Sequence, residues 1–399
     1  MAAERLVVQY HLNLVAAETS RVSAPLSVGV EEEYLLTDAE TGALVARADQ
    51  AVAAASDVLG DSVTSELNLC QIEVGTVVCQ TLDELGDDLH RLRRQLAAAC
   101  LPVGLIPVAS GTHPWSPWQE QQVDRSNERY AEMEDRYQII ARQQVICGCH
   151  VHVGVDDRTT RVEVMNRARP WLPLILALSA NSPYWQGADT GYASYRTQVW
   201  QRWPMAGMPP VLDGPDAYDD LVSGLVRAGA IEDATHLYWY IRPSAHYPTL
   251  EFRVSDVCLE PAQAVTMAGL LRALVWTCAA EAEASGPSGP SGSSVGEDYQ
   301  LRAAVWQAAR YGLEGLLVDP QSGRLAGAAE AIRAAVVRLG PGLDAHGDRD
   351  RITEGVERIL HQGNGATWQR RVAATEGRHG LARRLATWMA GEDRLSVPG

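Results

Sequence analysis

Four segments of this chain set charged or imidazole side chains at alternating positions of otherwise apolar runs, and each must fold so that one polar face survives. In Gly29-Val30-Glu31-Glu32-Glu33-Tyr34, a strand puts Glu31 and Glu33 on one face and Val30, Glu32 and Tyr34 on the other. Adjacent carboxylates on a sheet repel, and a divalent cation resolves that repulsion; an edge strand with solvated acids answers the same pattern. In SELNLCQIEVGT, residues 65–76, Glu66 and Glu73 are an odd number of residues apart, which on an unbroken strand places them on opposite faces. The apolar register slips there, from Leu67 and Leu69 to Ile72 and Val74, so a bulge or sharp bend near Cys70–Gln71 would gather Glu66, Asn68, Gln71 and Glu73 on one face.

The third segment is Cys147-Gly148-Cys149-His150-Val151-His152-Val153-Gly154. Two Cys and two His suggest zinc, and a zinc hydrolase is one reading of the chain. Strand alternation opposes it, because Cys147 and Cys149 point one way and His150 and His152 the other. Gly148 and Gly154, on the histidine face, would clear space for a ligand. Interior hydrogen-bonded histidines are the plainer alternative. In the fourth segment, Leu250 to Asp256, Glu251, Arg253 and Ser255 share a face, for which a structural Glu251–Arg253 salt bridge is the simple account. Taken together, carboxylates, imidazole and arginine on one face suit Mg²⁺ or Mn²⁺ holding phosphate oxygens, with arginine on a transferred phosphoryl group.

Composition narrows the partners. The 399 residues include 50 Asp plus Glu and 34 Lys plus Arg, a net charge of −16, which opposes nucleic acid and anionic membranes. No run of eighteen apolar residues and no secretion signal are read. The seven cysteines fit reduced thiols in a cytoplasmic protein. No Walker A loop, G-x-G-x-x-G fingerprint or G-x-S-x-G elbow is present.

Periodicity places helices at 45–59, 82–100, 119–142, 161–180 and 261–284, strands at 145–155, 237–243 and 248–256, and an almost wholly helical region over 297–391. Strands early and helices late indicate an α+β fold. Residues 5–15 alternate as a strand in an N-terminal extension (1–25) ahead of a catalytic domain at 26–399, an added edge or a self-association surface. GPSGPSGSSVG at 286–296 is a linker or surface loop. The Gly-, Tyr- and Ser-rich stretch NSPYWQGADTGYASYR is a candidate active-site flap.

GVEEEY, SELNLCQIEVGT, RYQIIARQQVICGCHVHVGV, YRTQVWQRWPMAGMPP, IRPSAHYPTLEFRVSDVC, AARYGLEGLLVD and NGATWQRR, in this order over about residues 26–375, resemble the carboxylate–amine ligase branch of the type 2 glutamate–cysteine ligase family. The resemblance implies a glutamine-synthetase-like fold, a curved, largely antiparallel sheet with helices on one face and a funnel on the other. It implies ATP-dependent amide formation through an acyl phosphate, with glutamate's γ-carboxylate as the acid in the best-known members. Metal ligands then fall on Glu31, Glu33, Glu66, Glu73, His150 and Glu251, with Arg253 and Glu251 catalytic. His152, Arg196, Arg242, Tyr195 and Tyr240 are candidates for substrate or nucleotide contact, Tyr192 for the funnel wall, and Asn364, Gln369 and Arg370 for a motif packing toward the site. The small-molecule acid and amine stay open, and a specialised non-glutamate acid, a non-cysteine amine or a non-catalytic ATP-binding protein are the alternatives. Substrate choice is a candidate role for the extension and for Trp185 to Trp203.

Overall fold

The longest strand, β1 (Val28–Asp38), carries the acidic triplet and lies inside a seven-stranded sheet. The computed structural model describes residues 25–285 and 295–389. The strand expected at 5–15 and the loop residues 286–294 lie outside them, and Val295 already opens a helix. The chain continues through β2 (Val63–Ser65), β3 (Gln71–Gly75), β4 (Leu105–Val108), β5 (Gly148–Gly154), a separate hairpin of β6 (Tyr184–Trp185) and β7 (Ala188–Asp189), then β8 (Ile241–Pro243) and β9 (Thr249–Asp256). The sheet order is β2-β3-β1-β5-β9-β8, with β4 also on β1, and all its pairings are antiparallel. The register sets Glu33 opposite Glu73, Glu31 opposite His150, His152 opposite Glu251, and Glu251 opposite Arg242. Polar residues spaced two apart on each strand therefore meet across strands as a continuous patch.

The other face is apolar and covered by helices. The helix Leu82–Cys100 starts at a capping box between Thr81 and Glu84 and buries Leu85, Leu89, Leu92 and Leu96 at the spacing of one helical face. The helix Pro261–Ser285 packs against β1 and β5. It is long and apolar enough to cross a membrane, but 89% of that stretch is buried within the protein, as in a core helix. Val30, Val151, Val153 and Phe252 meet these helices in the main core. Glu32 is fully buried on this side, where both its oxygens accept from Arg93 (Nε to Oε2, 2.9 Å) and Tyr34 donates to it. Arg93 also donates to the Cys258 and Leu259 carbonyls at 2.8 Å, tying the sheet's back to the chain that leaves β9.

Several elements differ from their expected form. Residues 65–76 contain a turn over 66–70 that closes the β2–β3 hairpin, a full reversal rather than a bulge. The segment 119–142 is three pieces, Trp118–Glu120, Glu128–Tyr137 and Ile139–Arg142, broken at Gln138, whose φ is 50°. Pro170 separates Arg158–Ala168 from Leu172–Ser179 by one tight turn, since proline cannot donate to the preceding turn. A small hairpin, β10 (Leu316–Val318) with β11 (Leu325–Gly327), interrupts the helical C-terminal region.

Candidate active site

The polar patch floors a cavity of about 400 Å³. β1 contributes Glu31 and Glu33, the β2–β3 hairpin Glu66, Gln71 and Glu73, β5 His150 and His152, and β9 Glu251 and Arg253. His150 Nδ1 lies 3.4 Å from Glu31 and its Nε2 3.5 Å from Glu33; His152 Nε2 lies 3.4 Å from Glu31. The Gly148 N–H donates to Glu33 at 2.6 Å, the Leu67 N–H to Glu66 at 2.9 Å, and His152 Nδ1 meets Thr249 Oγ1 at 2.9 Å. Arg242 grips Glu251 through Nε (2.8 Å) and Nη2 (3.2 Å), Arg253 pairs with the same carboxylate, and Arg242 is anchored on the Thr235 and Leu237 carbonyls.

Three overlapping triplets could each hold a cation: Glu31, Glu73 and His150; Glu31, His152 and Glu251; Glu33, Glu66 and Glu73. In each the ligand atoms lie within 4.8 Å of one another. Carboxylates with imidazole are a donor set suited to magnesium or manganese. The buried Nε2 atoms of His150 and His152 face the Glu33 and Glu31 carboxylates at 3.5 and 3.4 Å, imidazole and carboxylate together as a shared cation would need them. Charge is uneven across the patch. Burial and the neighbouring Glu33 push Glu66 up to about 7. Burial, then Glu31, Glu66 and Glu33, raise Glu73 well above the carboxylate range. Burial also acts to raise Glu31, but hydrogen bonds and charge from His150 and His152 outweigh it and hold that carboxyl low. Burial likewise opposes the ionisation of Glu251, yet Arg253 and Arg242 keep it low. The crowded acids at Glu66 and Glu73 therefore need a cation to be ionised together.

Glu31, Glu33, Glu66, Glu73, His150, His152, Arg242, Glu251 and Arg253 all line this cavity. Arg196, Tyr195 and Tyr240 are not among its lining residues. Arg196 is 1% exposed, reaches the Arg253 carbonyl at 3.3 Å, and lies 5.4 Å from the Trp200 ring centre. Tyr195 packs on Trp185 and Tyr192, and the Tyr240 hydroxyl accepts from Gln201 at 2.7 Å. The flap expected in this stretch is pinned instead to the C-terminal helices: Arg370 bridges Asp189 at 2.7 Å and Trp306 donates to the Tyr192 hydroxyl at 3.2 Å. Asn364 caps its own helix at Thr367, and Gln369 donates to Ser110 and Asn181. The glycine reading also changes. A Cβ on Gly148 would stand 2.3 Å from Arg196 Nη2, and one on Gly154 2.3 Å from Ser27 Oγ, so protein groups, not a ligand, fill those clearings. Cys147 and Cys149 are buried in separate apolar clusters, and no candidate ligand triplet among the described residues includes a cysteine, which removes the basis for a four-ligand zinc centre.

Of the remaining cavity wall, Trp200 and Trp203 fall in the stretch expected to bear on substrate choice, while Arg129, Tyr130, Met133, Tyr238 and Tyr247 were missed. Trp200 and Trp203 pack on Tyr238 with ring centres 5.5 and 5.1 Å apart, and Trp200 also carries Arg253 at 5.2 Å. These residues come from three distant segments, so no local spacing marks them as one surface; the stretch Trp185 to Trp203 was the one trace.

Residues 27–387 match the family described as Glutamate-cysteine ligase family 2 (GCS2). The chain belongs to this family. A relative from Rhodopirellula baltica, provisionally named glutamate–cysteine ligase 2, is 40% identical over 350 residues, 86% of this chain and 92% of that protein. Another, from Mycolicibacterium vanbaalenii, with the provisional name glutamate–cysteine ligase 2-2, is 41% identical over 345 residues, with the same coverage. Among solved structures, the glutamate–cysteine ligase of Francisella tularensis in complex with AMP superposes with a TM-score of 0.68 at 14% identity, over 96% of this chain and 91% of that one. A bifunctional glutathione synthetase from Pasteurella multocida gives 0.67 at 14% identity, over 97% of this chain and 54% of that one. This GCS2 member thus has a glutamine-synthetase-like ligase fold and is a glutamate–cysteine ligase-like carboxylate–amine ligase.

Proposed function

We propose that the chain uses ATP and Mg²⁺ to join a carboxylate, the γ-carboxylate of glutamate, to an amine. The convergence of five carboxylates, two imidazoles and Arg253 on one cavity face carries this reading. The three triplets are the residues that would hold magnesium, which when bound neutralises phosphate oxygens and eases attack at the γ-phosphorus. Arg253 lines the cavity beside the acids, where its charge would favour phosphoryl oxygens as negative charge shifts on to them. Arg242 and Arg253 keep Glu251 ionised and fixed. A substrate carboxylate oxygen attacks the γ-phosphorus, the bond to ADP breaks, and an acyl phosphate forms. The amine nitrogen then attacks the acyl carbon, phosphate leaves, and the nitrogen sheds a proton as the amide forms. Prior activation is required because a free carboxylate is a poor electrophile at neutral pH.

The test is ADP release and product mass with glutamate, ATP, Mg²⁺ and a broad panel of amines. Amine-dependent ADP is expected, and its loss in Glu33→Ala and Glu73→Ala proteins that remain folded. Full turnover in either variant would overturn the metal assignment.

A further inference from the structure

Three arginines line the cavity, and two of them are committed: Arg242 and Arg253 both hold Glu251. Arg129 is not. It lies in the first turn of the helix Glu128–Tyr137, is exposed, and its backbone N–H is bonded to Asn127 Oδ1 at 3.1 Å. Its side chain has no hydrogen bond or ion pair among the described residues. The other arginines of this segment show the contrast. Arg125 pairs with Glu134 and Asp135, Arg136 with Glu232, and Arg142 with Glu134. Even Glu132, three residues on along the same helix at a spacing that suits an ion pair, does not take up Arg129. Burial pushes the Tyr238 hydroxyl up to about 12, and Arg129 is the foremost charge opposing it; it opposes the rise at Tyr130 as well. Both tyrosines line the cavity, so this guanidinium stands at the cavity with its donors accessible.

We propose that Arg129 binds a substrate carboxylate that is not itself activated, either the second carboxylate of the acid or the carboxylate of an amino-acid amine. This rests on the ligase reading and adds to it a substrate class. Five carboxylates line the same cavity, so an incoming one away from the metal is repelled unless a cation receives it. Arg242 and Arg253 already serve Glu251, and Arg196, 1% exposed, is not among the lining residues. A guanidinium takes a carboxylate through two parallel N–H···O bonds. The phosphates of ATP have other partners, in the candidate cation triplets and in Arg253. A monocarboxylic acid joined to a simple alkylamine would give Arg129 nothing to hold. The substrates therefore include a dicarboxylate, an amine that bears a carboxylate, or both.

The test uses pairs that differ by that carboxylate alone: glutamate against γ-aminobutyrate as the acid, and each amino acid of the amine panel against its decarboxylated amine. ADP release and thermal stabilisation are measured on the wild type, Arg129→Met and Arg129→Lys. In the acid pair, the amine pairs or both, the wild type should prefer the carboxylate-bearing member at least tenfold in kcat/KM. Arg129→Met should erase that preference, chiefly through KM, and Arg129→Lys should restore part of it. The pair affected identifies which substrate carries the group. No preference in any pair, or one that Arg129→Met leaves unchanged, would overturn the subsite and leave the ligase intact. A rise in the KM of ATP alone in Arg129→Met would also overturn it, by assigning the guanidinium to phosphate. If no pair supports ADP release, stabilisation decides. Carboxylate-bearing members that stabilise the wild type and not Arg129→Met uphold the subsite while the ligase reading falls; equal or absent stabilisation overturns the subsite as well.

Discussion

Buried His113 and half-buried Glu73 respond to pH with opposite sign. His113 Nδ1 accepts from the Trp115 and Ser116 N–H groups at 3.3 and 2.9 Å, and its Nε2 meets the Gly42 carbonyl at 3.1 Å. A proton on Nδ1 would oppose two N–H donors, and burial pushes this imidazole down to about 3. The unfolded chain takes up that proton near 6.5 and the fold does not, so the contribution is present above 6.5 and lost as pH falls toward 3. Between pH 7 and 5 the stability gap between wild type and His113→Gln should narrow by about 2 kcal/mol in urea denaturation; a constant gap would mean the ring is charged or solvated. The metal-free acids behave the other way. With Glu66 up at about 7 and Glu73 well above the carboxylate range, their contribution is present below the ordinary value of 4.5 and lost as pH rises through their raised values. In EDTA at pH 8, Glu73→Gln should therefore be more stable than wild type by on the order of 1 kcal/mol, yet show a much weaker thermal response to Mg²⁺. A destabilised variant with an intact Mg²⁺ response would contradict both expectations.

Among the elements, β1 is read differently from its two sides. The alternation of Glu31 and Glu33 against Glu32 is local, so it was visible in the sequence, as were the histidine pair of β5 and the Glu251–Arg253 pair of β9. The partner of Glu32 was not, because Arg93 lies on a helix far along the chain and nothing in its own surroundings singles it out. Nor was the turn over 66–70, where the one usual turn-former is Asn68 amid leucines, so a bend was inferred but not a hairpin. Arg196 and Tyr240 were candidates for substrate or nucleotide contact, and whether they reach the cavity depends on how β5, β8 and β9 twist past neighbouring segments, which no spacing records. The pairings rank by burial. Arg93→Met leaves the enclosed Glu32 without its ion-pair partner and should lower stability by about 3–5 kcal/mol. Asn364→Ala removes a cap and strips the Ala177 carbonyl of its donor, for about 1–2 kcal/mol. Arg370→Ala breaks a half-exposed bridge to Asp189 and should lower it by less than about 1 kcal/mol. Urea denaturation of the three variants checks the order, and a loss of several kcal/mol in Arg370→Ala would show that the 181–194 segment depends on it.

For the molecule as a whole, the candidate cation ligands join strands that are distant in sequence but adjacent in the sheet, β1, β3, β5 and β9, with Glu66 from the turn of the β2–β3 hairpin. An ion at 100 times its dissociation constant stabilises by about 2.7 kcal/mol, and that gain must spread over every strand it bridges. Hydrogen exchange with Mg²⁺ should therefore slow in these four strands together, and little in the helices Ala328–Arg338 and Arg349–Gln362. Slowing confined to one strand would mean the triplets do not act as a unit. The α+β layering was legible because helical and strand periods separate along the chain; the aromatic wall was not, because it exists only once Tyr130, Trp200 and Tyr238 are brought to one cavity. The strand order also sets a timetable for synthesis. Glu31 and Glu33 leave the ribosome among the first described residues, while Glu251 on β9, which completes the triplet with Glu31 and His152, follows only after more than half the chain. A nascent chain thus lacks that one triplet until the last strand of this sheet arrives, although Glu33, Glu66 and Glu73 are made far earlier, so ions held by all three triplets together would mark a sheet that has finished assembling.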